Sequence, residues 1–173
     1  MISNLRQLKD RAIAKILTRF PWLVYRWAKR STFVTFNDIP WAPLKNEIKE
    51  SRLALITTGG VRLKIQPVFD MLDPDGDPTF REIPSDASTQ DLTITHNYYD
   101  HTDADRDINI VFPIERVQEL KTTGDIGDVN YRHFSFMGHI RGRHMDTLIN
   151  HSAPRVAHSL KDDAVDMVIL VPA

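Results

Sequence analysis

The sequence predicts an α/β fold: a three-layer sandwich with an at least partly parallel sheet, preceded by an N-terminal amphipathic helix and an extended arm. Short apolar segments typical of strands alternate with segments whose apolar residues recur at helical spacing. Gly124 and Pro154 mark the end and the beginning of predicted helices. A length of 173 residues suits one domain with its own core. We divide the chain into residues 1–50, a basic and aromatic region, and residues 51–173, the α/β domain.

The N-terminal region begins with an amphipathic helix over residues 3–19, after which Pro21 interrupts the pattern. The next segment, "WLVYRWAKR", mixes aromatic and basic residues. We interpret it as a helix that packs its aromatic rings on the core or on a partner subunit, although such a mixture also suits a membrane surface. Pro40 and Pro43 then predict an extended arm.

The domain over residues 51–173 contains an alternation of predicted elements, separated by an irregular loop over residues 66–90 that is rich in proline and aspartate. Five segments have the apolar character of strands, and the last of them reads as a buried strand. The predicted elements in order are strand 53–57, strand 92–96, strand 108–112, a helix from Pro113 to Gly124, strand 132–138, a helix from Pro154 to Ala164 and strand 167–171.

Composition excludes several classes of protein. The net charge of −1 gives no support for a nucleic-acid partner. The absence of cysteine excludes disulfides and thiolate zinc sites. No segment has the length of a membrane span or the features of a signal peptide, so we expect a cytoplasmic protein. Residues 1–30 are strongly basic and residues 66–109 strongly acidic, so these two surfaces are predicted to face each other or oppositely charged partners.

A first candidate site is the segment "TTGGV", where a strand leads into a glycine turn. Thr57 and Thr58 supply hydroxyl groups, while Gly59 and Gly60 allow the backbone to approach a ligand closely. Backbone amides and hydroxyls together suit a carboxylate or a phosphate. A plain turn remains the alternative, since the segment lacks the spacing of a nucleotide-binding loop.

The second candidate site is the segment "THNYYDHTDADRDIN" at residues 95–109, which is dense in imidazoles and carboxylates. Such groups bind divalent metals or transfer protons, and aspartates equally cap helices and stabilise turns. The aspartates of "DPDGDP" fail the spacing of a calcium loop, and we assign no metal ligands. The candidate residues of the segment are His96, Asp100, His101, Asp103, Asp105 and Asp107. Ser135 and the histidines of "HFSFMGHIRGRH" lie in a later strand and the loop after it.

Taken together, "TTGGV", "FDMLDPDGDPTFREIPSD", "LTITHNYYDHTDADRDINIVFPIERVQEL", "RHFSFMG" and "VDMVILVP" resemble the glycine/sarcosine/betaine reductase selenoprotein B family, and more distantly the D-proline reductase selenoprotein subunit. The resemblance implies an oxidoreductase that reductively cleaves a carbon–heteroatom bond in a small amino-acid-like substrate. Such enzymes are classed as acting on X–H and Y–H to form X–Y, with a disulfide as acceptor. It further implies a selenocysteine-x-x-cysteine motif, or an all-cysteine version, directly after Ala173. Selenocysteine is encoded by a codon ordinarily read as stop, which would account for a chain that ends there and that is inactive by itself. The alternative is a chain that was cut at this position for another reason.

The resemblance also suggests roles for residues of this chain. His96, Asp100 and His101 are the expected catalytic residues, which would manage protons. The expected substrate-binding residues are Thr57, Thr58, Gly59, Gly60, Asp103, Asp107 and Ser135. Partner reductase subunits with a carbonyl cofactor, a thiol reductant and self-association are expected, whereas a membrane surface is not. The alternative is an α/β protein that binds a ligand or metal through the same regions without redox chemistry.

Overall fold

The computed structural model describes residues 2–29 and 42–173. Its strands are β1 (Arg52–Thr57), β2 (Val61–Leu63), β3 (Arg81–Pro84), β4 (Leu92–Ile94), β5 (Asp128–Val129), β6 (Arg132–Ser135) and β7 (Met167–Val171). Its α-helices are α1 (Ile2–Arg19), α2 (Pro21–Ala28), α3 (Ile114–Thr123), α4 (His144–Thr147) and α5 (Ala153–Asp162). The predicted α/β class is confirmed.

Strand β1 is the centre of the main sheet. On one side it pairs in parallel with β7 over its last five residues. On the other side it pairs in parallel first with β5 and then with β6, which are consecutive pieces of one interrupted strand. Strand β3 adds to β6 in antiparallel orientation, so the sheet is mixed with a parallel centre. Strands β2 and β4 form a separate antiparallel pair.

Alternate residues of β1 enter two different cores, which explains the layers. Leu53 and Leu55 belong to an apolar cluster that includes Val117 of α3. Ala54 belongs to a second cluster that includes Val156 of α5. Because neighbouring side chains of a strand point to opposite faces, α3 and α5 cover opposite faces of the sheet. Burying a side chain such as that of Leu55, which is fully buried, contributes about 2 kcal/mol.

The helices end and begin where turn residues dictate. Helix α3 ends at Gly124, whose φ of 75° is the left-handed conformation that glycine adopts without strain. Helix α5 carries Pro154 in its first turn, as predicted. The single turn α4 and a π-helical segment, Leu148–Ser152, precede α5. The sequence did not predict these two pieces, because they are too short to show a full apolar repeat.

Three local predictions are corrected. Residues 108–112, predicted as a strand, contain a 3-10 helix at Ile108–Ile110. Asp107 caps this turn through a hydrogen bond from the Asn109 N–H, 3.0 Å, and a short apolar run is compatible with either structure. The loop over residues 66–90 is interrupted by β3, and the strand predicted over residues 92–96 ends at Ile94.

The prediction that β7 is a buried strand is wrong. In the part of the chain that the structure describes, β7 has a single neighbour, β1, so it forms an edge of the sheet. Its middle residues are well exposed, with Val168 at 38%, Ile169 at 37% and Leu170 at 69%. An apolar run shows that a strand is stable when another element or another chain packs against it, but it does not show which element or chain that is.

The N-terminal helices lie against the domain at few points. Ala14 of α1 is buried, and the Arg11 Nε donates to Asn97 Oδ1 at 3.0 Å. The pKa of Asp100 is lowered first by its hydrogen bonds from Thr102 and to a lesser extent by the positive charge of Lys15, so the basic helix does face the acidic segment. The predicted arm lies largely outside the described residues. Within them, no helix is long and apolar enough to cross a bilayer.

A nearly buried ion pair links β6 to the end of α5. Asp163 is 8% exposed, and both of its carboxyl oxygens accept hydrogen bonds from Arg132, at 2.7 and 2.8 Å. Tyr131 and Asn130 donate to the same carboxylate at 2.7 and 3.0 Å. These bonds, that from Arg132 first, lower the pKa of Asp163 to about 2.

Candidate active site at the carboxyl end of the sheet

The carboxyl ends of β1, β6 and β7 meet at one edge of the sheet, where ligands of α/β proteins collect. The Thr58 N–H donates to the Val171 carbonyl at 3.0 Å. The Ala173 N–H donates in return to Thr58 Oγ1, also at 3.0 Å. On the other side of β1, the Phe136 N–H donates to the Thr57 carbonyl at 2.9 Å. The residues after β7 are therefore fixed beside the segment "TTGGV".

The glycine turn after β1 is tightly enclosed. Gly60 has a φ of 70°, and a Cβ at this position would lie 2.4 Å from the Thr95 carbonyl oxygen. The Tyr99 hydroxyl donates to the Gly59 carbonyl at 3.0 Å. Only glycine fits at position 60, because both the conformation and the space exclude a side chain.

The amides of this turn are already engaged. The N–H of Thr58 donates to Val171, that of Gly59 to Thr57 Oγ1 and that of Gly60 to Phe136. None of these three N–H groups is left to bind a carboxylate. The hydroxyl groups remain, and that of Thr58 is the more accessible, since Thr57 is fully buried.

His96 lies directly beside the turn. A Cβ on Gly138 would lie 2.5 Å from the Thr58 carbonyl oxygen and 3.5 Å from His96 Nε2, which shows how closely the three residues approach. The Nδ1 of His96 accepts from the Tyr98 N–H at 3.0 Å. Burial, followed by the positive charge of His139 and His101, lowers the pKa of His96 to about 4. The imidazole is therefore neutral at pH 7, with its proton on Nε2.

Five aromatic and imidazole rings form a continuous array around His96, which we call the ring cluster. Its members are His139, Tyr98, His96, Tyr99 and His101. The centres of successive rings are 3.7, 5.8, 4.5 and 5.6 Å apart. Burial raises the pKa of the Tyr99 hydroxyl, which stays protonated and donates to the turn. The array connects the turn of β1 with the surface at His101.

The two tyrosines of the ring cluster were not predicted as site residues. Their only sequence signal is the pair "YY" between His96 and His101, and adjacent aromatics more often belong to a core.

Asp100 and His101 are half-buried and lie between the buried start of the segment at residues 95–109 and its exposed turn. The carboxylate of Asp100 accepts from the Thr102 hydroxyl at 2.6 Å and from the Thr102 N–H at 3.2 Å. These bonds lower its pKa. The Nδ1 of His101 lies 2.8 Å from a carboxylate oxygen of Asp105. An imidazole paired with a carboxylate is a common proton-transfer unit.

Asp103 and Asp107 contact partners in their own loop. Asp103 lies 3.1 Å from Arg106 at the surface, with 79% of its side chain exposed. Asp107 accepts from the N–H and the side-chain amide of Asn109, at 3.0 and 2.9 Å, and these bonds, the side-chain one first, lower its pKa. Both contacts are those of turn-forming aspartates, and no contact joins either residue to the strand ends in the described part of the chain.

Ser135 pairs in register with Thr57 and is fully buried. Its hydroxyl has no hydrogen-bond partner among the described residues. His133, two residues earlier on the same face of β6, accepts from the Leu55 N–H through Nδ1 at 3.1 Å, while its Nε2 has no described partner. Burial lowers the pKa of His133 to about 4. This histidine thus replaces a backbone acceptor where β5 and β6 are interrupted.

An apolar groove opens beside the Thr58 hydroxyl. Its volume is about 390 Å³, and Gly138 and Leu170 contribute to its wall.

In residues 2–29 and 42–173 no three histidine or acidic side chains are arranged to hold a metal ion. Asp73 of the "DPDGDP" loop is bonded instead to His144 at 3.0 Å and to Arg143, and these contacts, that of His144 first, lower its pKa to about 2.

Comparison with known sequences identifies the family. Residues 7–173 match the family described as glycine/sarcosine/betaine reductase selenoprotein B. The chain belongs to this family. The match covers nearly the whole chain, so the resemblance inferred from "TTGGV" and the segment at residues 95–109 is confirmed.

Two relatives from the selenoprotein B family and its neighbours show the extent of the likeness. The chain is 35% identical over 130 residues to the D-proline reductase subunit gamma of Acetoanaerobium sticklandii, covering 75% of this chain and 52% of the relative. It is 27% identical over 143 residues to the glycine reductase complex component B subunit gamma of Carboxydothermus hydrogenoformans, covering 78% of this chain and 31% of the relative. The chain thus spans about half or less of the length of these relatives. No solved structure matches the sequence.

Proposed function

We propose that this chain forms the substrate-binding part of a selenoprotein B-type reductase, which cleaves a carbon–heteroatom bond in a small amino-acid-like substrate. We further propose that the selenol or thiol that performs the reaction stands directly after Ala173. The supporting comparison is membership of the selenoprotein B family, whose two matched relatives are named as subunits of reductases.

One observation carries the proposal. The hydrogen bonds between Thr58 and the residues at the end of β7 hold Ala173 at the same edge as the glycine turn and the ring cluster, and a residue that followed Ala173 would begin at this edge. A nucleophile at this position would face the groove that includes Thr58 and Gly138. The carboxyl end of a parallel strand is also the ordinary place for a catalytic group in an α/β fold.

The reaction balances with a dithiol as reductant. A selenolate or thiolate displaces the heteroatom group from carbon, and that group leaves with the bonding electron pair and takes a proton. A neighbouring thiolate then attacks the selenium or sulfur, the carbon takes the electron pair and a proton, and a selenenylsulfide or disulfide forms. A dithiol reduces this bond and becomes a disulfide. The net change is one reduced carbon, one protonated leaving group and one oxidised dithiol.

The residues of this chain would bind and protonate rather than react covalently. The Thr58 hydroxyl would donate to a substrate carboxylate. Thr57 would stabilise the turn, because its hydroxyl accepts from the Gly59 N–H. Protons would pass through His101 and its partner Asp105 at the surface, with Asp100 beside them. His96 would act as a neutral positioning residue, because both sides of its ring are engaged and its pKa of about 4 keeps it uncharged. The hydroxyl of Ser135, which is buried beside Thr57 and has no hydrogen-bond partner among the described residues, would be available as a further donor.

The wider assembly is part of the same proposal. The relatives are named as subunits, so partner reductase subunits and a thiol reductant are expected in the cytoplasm. We also propose that the exposed edge of β7 supports self-association, because an apolar edge strand is stable only when it is covered.

The first experiment reads the nucleotides that follow the Ala173 codon in the gene. The codon for selenocysteine or for cysteine, with a second cysteine three positions later, is expected. Any other sense codon, or a different stop codon, would refute the placement of the nucleophile.

The second experiment uses the chain extended by that motif with cysteine at the first position. Alkylation of this cysteine by iodoacetamide is followed by mass spectrometry, together with dithiol-dependent loss of amino-acid-like substrates. Thr58→Val removes the hydroxyl that accepts from Ala173, and Thr122→Val removes a hydroxyl on α3 that bonds only its own helix, at 2.9 Å. A changed alkylation rate and weaker substrate binding in Thr58→Val alone are expected. Substrate binding without any reduction, unaffected by loss of the cysteine, would favour the non-redox binding alternative.

A further inference from the structure

The apolar side of α1 faces solvent rather than the domain. Ala14, the buried residue of the described part of α1, lies about 180° around the helix from Leu5 at 3.6 residues per turn. Arg11, which binds Asn97, lies on the same side as Ala14. The opposite side carries large apolar side chains that are between 43% and 72% exposed, namely Leu5, Leu8, Ile13 and Ile16. The amphipathic helix predicted from the sequence is present, but it is attached through its polar side.

Helix α2 extends this apolar surface. None of its residues is buried, so its rings do not pack on the core of this chain. The exposed side chains of α2 and of the residue before it are Phe20 at 47%, Trp22 at 57%, Val24 at 39%, Tyr25 at 63% and Trp27 at 62%. Nine large apolar side chains are thus exposed on two connected helices, far more than the scattered apolar residues of an ordinary surface.

The charge around this surface is almost all positive. From residue 5 to residue 29 the chain contains seven arginine and lysine residues and a single acidic residue, Asp10. Two of the cations lie over exposed rings: the Arg26 guanidinium is 6.0 Å from the centre of the Trp22 ring, and the Lys29 ammonium is 4.4 Å from that of Tyr25. Apolar and aromatic side chains are therefore bordered by positive charge.

The positive charge, rather than the aromatic rings, favours an anionic lipid surface over a protein partner. Aromatic residues and arginine are enriched in protein interfaces as well as in helices at a bilayer surface, but lysine is depleted in protein interfaces and, with arginine, enriched in helices that lie in the headgroup region. An 18-residue helix such as α1 is about 27 Å long and would lie flat with its apolar side down. In the described residues no helix can cross the bilayer, so the attachment would be peripheral.

Against the expectation from the sequence that a membrane surface is not a partner, we propose that α1 and α2 form a membrane-surface anchor that binds bilayers containing anionic lipids and holds the α/β domain above them. The polar side of α1, with Arg11 and Ala14, stays on the domain, while Trp22, Trp27 and the apolar side of α1 enter the headgroup region. This inference is independent of the reductase activity, because it concerns residues 2–29 and not the strand ends.

The test measures co-sedimentation of the whole chain with vesicles of phosphatidylcholine alone and of phosphatidylcholine with about 30% phosphatidylglycerol. Binding to the anionic vesicles is expected to be at least about tenfold stronger, and to fall about tenfold in 0.5 M salt, because surface charges are screened. The chain has three tryptophans, at positions 22, 27 and 41. In a Trp41→Phe background, a blue shift of fluorescence on vesicle binding reports directly on α2.

Two sets of variants complete the test. Trp22→Ser with Trp27→Ser should weaken vesicle binding about tenfold or more, and Arg26→Glu with Lys29→Glu should abolish the preference for anionic lipid. The matched control, Ile65→Ser with Ile110→Ser, removes apolar side chains that are 92% and 56% exposed on the domain and should bind vesicles normally. Sedimentation velocity is measured on every variant.

The proposal fails if the chain sediments with neither kind of vesicle, or if it binds both equally in low and high salt. A dimer that is lost in the tryptophan variant, together with no vesicle binding, would show that a second copy covers this surface instead. An unshifted fluorescence spectrum on bound vesicles would place the contact elsewhere on the chain.

Discussion

Replacing His133 with asparagine should halve the loss of stability that this fold suffers between pH 6.5 and pH 5. His133 and His96 are both buried, and burial lowers the pKa of each from 6.5 to about 4. The folded protein therefore holds both rings neutral in this range, whereas the unfolded chain binds protons on both. Stability is full above pH 6.5 and decreases as the pH falls towards 4, because protons favour the unfolded state.

The size of the effect follows from the pKa difference. A difference of about 2.5 corresponds to about 3 kcal/mol for each histidine at pH 4. Near pH 5.5 the two together should change the free energy of unfolding by about 2.4 kcal/mol per pH unit, and one alone by about half of that. The lowered pKa values of Asp73 and Asp163 also reduce stability as the pH falls, but mainly below about pH 5, so the slopes are compared between pH 6.5 and pH 5.

The assay is urea denaturation at pH values from 8 to 4.5, with the free energy of unfolding plotted against pH. Asparagine suits position 133 because its Oδ1 can replace Nδ1 as the acceptor for the Leu55 N–H. The shorter side chain leaves a small cavity, which lowers stability by about 1–2 kcal/mol at every pH and leaves the slope as the informative quantity. His158→Asn, at an exposed position of α5, is the control and should keep the wild-type slope.

Two outcomes would refute this reasoning. A wild-type free energy of unfolding that is constant between pH 7 and pH 5 would show that neither histidine is held neutral. A His133→Asn variant with the full wild-type slope would show that the titrating groups lie elsewhere.

Three further predictions concern the sheet and its edges. Gly138→Ala should lower the free energy of unfolding by about 2–3 kcal/mol, and Gly124→Ala by about 1 kcal/mol, since both have positive φ but only the first meets a backbone oxygen; equal urea midpoints would contradict this. Asp163→Asn should lower stability by about 3 kcal/mol in thermal or urea unfolding, because Arg132 loses its buried partner, and a loss below about 1 kcal/mol would refute the importance of the pair. Ile169→Lys should reduce self-association in sedimentation velocity, and a wild-type chain that is already a monodisperse monomer would overturn that prediction.

Local signals predicted most of the elements of the fold. Strand β1, helix α3 with its terminal Gly124 and helix α5 with Pro154 all follow from apolar spacing and turn residues. The same signals could not distinguish a strand from a 3-10 turn at residues 108–110, because three apolar residues fit both. Local signals also could not show how exposed a side chain is, because exposure depends on which other segments pack against it. Strand β7 and the outward side of α1 are the two examples.

The candidate site was predicted in part. The glycine turn and His96 do lie together. This was predicted because both follow strands, and the ends of strands meet at one edge of a sheet. The use of the Gly60 and Thr58 amides was not predictable, since their acceptors, Phe136 and Val171, lie 76 and 113 residues away along the chain. Among the described residues, Asp103 and Asp107 make hydrogen bonds and ion pairs only within their own loop, which the density of charge in the sequence could not reveal.

The central position of β1 has a consequence for how the protein folds. Its partners lie far along the chain: Arg52 pairs with Asp128, and Thr57 pairs with Val171. Contacts of such long sequence separation raise the contact order and slow the search for the native sheet. At a synthesis rate of about 5–20 residues per second, β1 leaves the ribosome about 6 to 23 s before β7. Until β5 and β6 appear, "RLALIT" is an unpaired apolar strand that can aggregate, and its edge towards β7 stays open for the rest of that interval.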